Sequence, residues 1–161
     1  MHRAQCCHRG FTLIELMVSL AIVVFLASLV TPMVITAIKR EKEQDLRTAL
    51  RQIRQALDDY KQAGDEGRIA RLPGQSGFPP SLTVLAAGVP DLLDPAGRRL
   101  YFLRRVPRDP FSGDERVGAE DTWGKRSFAS PPDKPEAGAD VYDIYSLSLA
   151  AGLNGVPYRQ W

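Results

Sequence analysis

The residues able to do nucleophilic or metal chemistry are few and crowd one end of the chain. Cys6 and Cys7 are the only cysteines, His2 and His8 the only histidines, and all four precede Phe11. A chain cut before Phe11 would hold none of them. A Cys or His nucleophile, a Ser-His-Asp triad and a Cys/His zinc site would then be excluded, as would any structural disulfide. Carboxylates remain. Asp109, Asp114, Glu115, Glu120 and Asp121 cluster in turn-rich sequence, and paired acids can serve as general acid and base. Their spacing orders them into no site, so they are read as turn residues and the chain as a non-enzyme. Arg98, Arg99, Arg104, Arg105 and Arg108 lie beside Tyr101 and Phe102, a pattern that can grip single-stranded nucleic acid through phosphates and stacking. Charge balance argues against it. Residues 11–161 carry 19 basic and 19 acidic side chains, so no net field draws a polyanion. Gly152 and Gly155 are too sparse for a phosphate loop.

Glu15 is the acid in an unusual setting. The run from Leu16 to Ile38 holds 23 residues without a formal charge. As a helix it would reach about 35 Å, enough to cross a hydrocarbon core of roughly 30 Å. A secretory signal peptide has a shorter apolar core, about 7–15 residues, and a small-residue cleavage site. This run is longer and has no such site at its end. A carboxylate at the mouth of the span is costly unless paired. The Gly10-Phe11 junction suggests the partner. If the chain is cut there, Phe11 carries a free amine, and Glu15 stands four residues on, on the same helical face. Among staggered copies, the amine of one can meet the carboxylate of the next. Pairing would relieve the acid and set the register. Charge counting alone would place the C-terminal part in the cytoplasm, because Lys39, Arg40, Lys42, Arg47, Arg51 and Arg54 outnumber Arg3 and Arg9.

The segment RGFTLIELMVSLAIV resembles the N-terminal methylation segment of type IV pilins and type II secretion pseudopilins, through Gly10, Phe11, Thr12, Leu13, Ile14, Glu15 and Leu16. The resemblance implies cleavage after Gly10 by a prepilin peptidase, methylation of the Phe11 amine, and pairing of Glu15 with the amine of an adjoining subunit. It implies a single-pass inner-membrane protein with a periplasmic head, against the bare charge count. Pro32 stands where many such proteins break the helix, and its missing N–H should kink or loosen it. The segments YFLRRVPRDPFSG and VYDIYSLSLAAGLNGVPYRQW resemble the heads of G-type pseudopilins. The implied partners are identical and related pseudopilins, the prepilin peptidase, the inner-membrane assembly platform and membrane lipid. The energy would come from a separate ATPase. The alternative is a minor pilin that binds DNA or a surface. G-type pseudopilins hold calcium in an acidic loop near this C-terminal region. Here the run Ser148 to Gly155 has no Asp or Glu, with Asp140 and Asp143 upstream, so no cofactor or metal is expected.

These motifs require elements to carry them. Leu46, Leu50, Ile53, Leu57 and Tyr60 recur at steps of 4, 3, 4 and 3, one face of a helix. Glu43 with Arg47 and Asp58 with Gln62 form same-face pairs. The expected organisation is a leader over 1–10, a membrane and assembly helix over 11–38, its amphipathic continuation over 39–63, and a small head over 64–161. Gly64 and Gly67 signal the helix end. SLTVLAAG predicts a short helix ending at Gly88. Strands are expected over Arg98–Val106, Trp123–Ser130 and Val141–Leu149. In the last, Tyr145, Leu147 and Leu149 alternate with serines. Trp161 and Trp123 are expected to anchor the core. The fold class is α+β, type IV pilin-like: a long N-terminal helix packed on a small antiparallel sheet.

Overall fold

The structure, a computed structural model, describes residues 11–161, with backbone alone at 29–32. Helix α1 runs Leu13–Asp65. The Glu15 N–H donates to Thr12 Oγ1 at 3.4 Å. A threonine at the N-cap with glutamate three residues later has the spacing of a capping box. Glu15 therefore sits in the first turn, where the helix dipole favours negative charge. At the other end Gly67 takes φ +76°. The Arg68 N–H bonds the Ala63 carbonyl at 2.9 Å and the Gly67 N–H the Gly64 carbonyl at 3.1 Å. This is a Schellman closure, and glycine enters the left-handed region it needs without a Cβ clash. The helix thus ends at Asp65, two residues beyond the expected boundary. The cleavage residue Gly10 lies outside the described residues, and Pro32, where a kink is expected, falls within the continuous run of α1.

The chain forms two compact units, Met1–Lys39 and Arg40–Trp161. In the first, Phe11 is exposed, and the described residues of α1 expose Leu13, Ile14, Leu16, Met17, Leu20, Val24 and Phe25. An 18-residue window there has mean hydropathy 2.7, and the helix is long and apolar enough to cross a membrane. In the second unit the predicted stripe is the core seat. Leu46, Leu50, Ile53 and Leu57 are buried, and Tyr60 meets Phe102 edge-on at 5.4 Å. Ala49, Ala56 and Ala63 of the same helix are buried as well.

The head has the predicted short helix, α2 at Leu82–Ala87, ending at Gly88. Its strands are shorter than expected and form two separate antiparallel ribbons. β1 (Val89–Pro90) pairs with β2 (Arg99–Leu100). β3 (Trp123–Arg126) pairs with β4 (Asp143–Ser146), in the register Trp123 to Ser146 and Arg126 to Asp143. The strand expected over 98–106 stops at Leu100 because the next free amides are diverted. The Phe102 and Leu103 N–H groups both donate to the Leu85 carbonyl at 3.0 Å, closing α2. β4 buries the serine side of the predicted alternation. Ile144 and Ser146 are fully buried, whereas Leu147 is 53 % and Leu149 94 % exposed. A buried partner explains it: the Ser146 hydroxyl donates to Asp109 Oδ2, so serine can face inward at little cost. Trp123 is buried as expected and donates its indole N–H to the Pro107 carbonyl at 2.8 Å.

Candidate functional site

Two sites emerge, one in each unit. In the first, Phe11 and Glu15 stand at the start of α1, both exposed. Among the described residues no ion pair reaches the Glu15 carboxylate. The two serines that follow bond back to their own helix. The Ser19 hydroxyl donates to the Glu15 carbonyl, and Ser28 Oγ to the Phe25 carbonyl at 2.7 Å. Serines bonded back to the helix lose little by entering an apolar medium. Among the described residues, Glu15 is thus a charge on this apolar segment with only the helix terminus to offset it.

In the second unit, one row of α1 holds the C-terminal segment. Glu43, Arg47, Leu50 and Arg54 follow steps of 4, 3 and 4, so they share a face. Glu43 is 6 % exposed. Its Oε1 accepts the Leu153 N–H at 2.7 Å and the Tyr158 hydroxyl at 3.0 Å. The Arg47 guanidinium lies 4.4 Å from the Trp161 ring centroid. Arg54 donates to Asp143 Oδ1 at 2.9 Å, to the Ile144 carbonyl at 3.2 Å and to a backbone oxygen of Trp161 at 2.9 Å. Tyr158 is fully buried and stacks on Phe111 at 4.1 Å. Burial, and then the hydrogen bond to Glu43, push its phenol up to about 12. Gly152 makes this packing possible, because a Cβ there would stand 2.5 Å from the Trp161 ring.

The sequence pairing of Glu43 with Arg47 is therefore corrected. Both reach across to the C-terminal segment, and a buried carboxylate accepting two hydrogen bonds is worth more than an exposed i,i+4 ion pair. The Asp58 and Gln62 pair is likewise replaced, by Gln55 with Asp59 and Gln62 with Glu66, each at 2.8 Å. A charged residue set in an apolar stripe was the available signal for Glu43.

The acids weighed for catalysis include two that hold the fold together. Asp109 is buried, accepts the Phe111 N–H at 2.8 Å and takes the Ser146 hydroxyl. Glu120 accepts the N–H groups of Leu82 and Thr83 at the start of α2, at 3.3 and 3.2 Å, and binds Lys125 at 2.8 Å. It supplies the cap that Ser81 does not. The arginines are partly committed too. Arg98 pairs with Asp94, Arg99 donates to the Gly88 carbonyl at 2.7 Å, and Arg108 to the Val117 and Asp114 carbonyls at 2.7 and 2.8 Å. Arg104 and Arg105 are exposed.

The model described as "Prokaryotic N-terminal methylation motif" matches residues 6–31. A type II secretion system core protein G of Klebsiella michiganensis is 30 % identical over 146 residues, 88 % of this chain and 94 % of that protein. This chain belongs to the core protein G family. The proteins of the same name from Klebsiella pneumoniae and Dickeya chrysanthemi are each 29 % identical, over 83 % and 96 % of this chain and 91 % and 95 % of theirs. No solved structure matches.

For a member of the core protein G family, the calcium implied by the resemblance can be tested against the loop's own oxygens. Calcium needs six to eight oxygen ligands, usually several of them carboxylate. In the loop 148–157 the Ala150 carbonyl accepts the Tyr158 N–H, the Gly152 carbonyl the Gly155 N–H, and the Val156 carbonyl the Gly152 N–H. Ser148 Oγ and Asn154 Oδ1 accept the Ala150 and Val156 amides at 3.4 and 3.1 Å. The upstream acids are committed elsewhere. Asp140 binds Ser76, Ser127 and the Phe128 amide; burial raises its pKa, but these bonds outweigh that and lower it. Asp143 is held by Arg54 and Arg126. Among the described residues no group of three His, Cys, Asp or Glu converges. The donor set does not fit calcium.

Proposed function

We propose that this chain is a structural pseudopilin subunit that polymerises through α1 into a periplasmic filament of a type II secretion system, supporting export of folded proteins. The observation that carries the reading is the exposed Glu15 carboxylate at the start of an apolar helix, four residues after Phe11. Cleavage after Gly10 by a prepilin peptidase frees the Phe11 amine, and methylation leaves that nitrogen basic. In a staggered array the amine of one subunit meets Glu15 of the next. Two unit charges about 4 Å apart attract by ~4 kcal/mol at an effective dielectric of 20. The contact offsets the cost of the acid in the membrane and selects one axial register.

The apolar surface from Leu13 to Ile38 then serves twice. It anchors the unassembled subunit in the inner membrane and packs against neighbouring helices in the filament. The head stands in the periplasm, with Lys39 to Arg54 on that side, against the bare charge count. The other partners are related pseudopilins and the inner-membrane assembly platform. The role is structural, without catalysis.

The test is to express the chain in a bacterial inner membrane with an active prepilin peptidase and determine its intact mass and N-terminus. A chain starting at N-methylated Phe11 is expected. Glu15→Ala is expected to be processed and inserted normally yet to yield no cross-linked subunit ladder. Chains that still begin at Met1 would overturn the filament reading. Normal ladders from Glu15→Ala would overturn the amine–carboxylate contact.

A further inference from the structure

The C-terminal loop has a ligand of its own. Residues 150–158 fold back on themselves: Ala151 bridges to Pro157, and the Val156 carbonyl accepts both the Gly152 amide, at 2.9 Å, and the Trp161 indole N–H, at 3.2 Å. A loop knitted this way still has to be attached to the core. Its Leu153 amide points out of the loop toward α1, where it meets the buried Glu43. The same carboxylate oxygen takes the Tyr158 hydroxyl, just past the loop. One acceptor from the helix thus joins both sides of the turn.

A cation site in the same place would need the opposite polarity. A metal collects carbonyl and carboxylate oxygens, whereas this loop presents an N–H and an O–H to a single anion. An amide hydrogen aimed at the centre of a site excludes a cation from it, and a carboxylate satisfies it. The attachment is also covalently part of the chain, so it does not depend on a free ion concentration.

We propose that the Glu43 carboxylate, inserted from α1 between the Leu153 amide and the Tyr158 hydroxyl, holds the C-terminal loop in place of a bound divalent cation. The head of this protein accordingly folds and stays folded in calcium-free medium. Glu43 is a positioning residue. It fixes the Gly152–Gly155 turn against Trp161, and with it the surface formed by Leu149, Leu153 and Val156, which are exposed.

The experiment uses the full chain in detergent micelles, with thermal unfolding followed by circular dichroism and amide exchange of Leu153 followed by mass spectrometry. Wild-type protein is expected to unfold at the same temperature in excess calcium and in excess chelator, with equal Leu153 exchange. Glu43→Ala strands a buried amide and hydroxyl, and its Leu153 exchange is expected to rise ~10-fold or more. If that variant fails to fold, Glu43→Gln carries the test. It keeps an acceptor of the same reach but without charge, and is expected to fold and to exchange Leu153 faster than wild type by a smaller factor. A fall in the wild-type unfolding temperature on chelation would overturn the proposal. So would wild-type Leu153 protection in Glu43→Gln and Glu43→Ala alike.

Discussion

The two parts of α1 share a backbone and differ in what their side chains ask of the surroundings. From Leu13 to Phe25, large apolar residues lie all around the helix and remain exposed. From Glu43 to Ala63, the apolar residues fall on one stripe and are buried, while the opposite face carries charge. Helical hydrogen bonding serves both equally. The difference is angular: a helix apolar on every side finds no single protein face large enough to cover it, whereas a stripe fits one head. The first part therefore calls for lipid or several neighbouring helices. The second is satisfied within its own chain.

The sharpest way to break this comparison is to remove the same kind of atoms from each part. Leu57→Ala deletes a fully buried side chain and is expected to destabilise the head by ~2–5 kcal/mol. Val24→Ala removes exposed surface and should leave the head unchanged. Denaturant unfolding of the full chain in detergent, followed by tryptophan fluorescence, would measure both, since Trp123 and Trp161 lie in the head. Equal losses from the two substitutions would mean that the parts are not distinct.

A smaller effect follows from pH. The Tyr158 phenol is raised from 10.0 to about 12 by burial and by Glu43. Below pH 10 the folded and unfolded chains both keep this proton, so the group adds no slope. Between pH 10 and 12 the unfolded chain releases it while the fold retains it, and stability falls. Above that range both forms are ionised and the contribution is lost. Tyr60 is raised by burial in the same direction, so Tyr158→Phe should flatten the alkaline slope without abolishing it. Unfolding midpoints measured from pH 8 to 12 would show this, and an unchanged slope would deny Tyr158 its role. The smallest effect is expected from Arg104→Ala with Arg105→Ala. Both residues are exposed, so each should change stability by no more than ~0.5 kcal/mol. Binding of single-stranded DNA at low salt should be absent before and after the change.

The sequence by itself determined most of the helical half of this protein. Period and composition located the apolar segment, the buried stripe at Leu46, Leu50, Ile53 and Leu57, and the stop at Gly67, because these depend on neighbours three or four residues away. The spacing of Phe11 and Glu15 was legible for the same reason, and the capping relation of Thr12 to Glu15 was there to be read. Tertiary structure alone decided the rest. Ser146 turned inward because Asp109, 37 residues earlier, offered a partner. The strand at Arg99 ended because Leu85 claimed the next amides. Glu43 became a ligand of the loop 110 residues later rather than the partner of Arg47. In each case a polar group's direction was set by which distant donor or acceptor the fold brought within 3 Å, and no local periodicity carries that information.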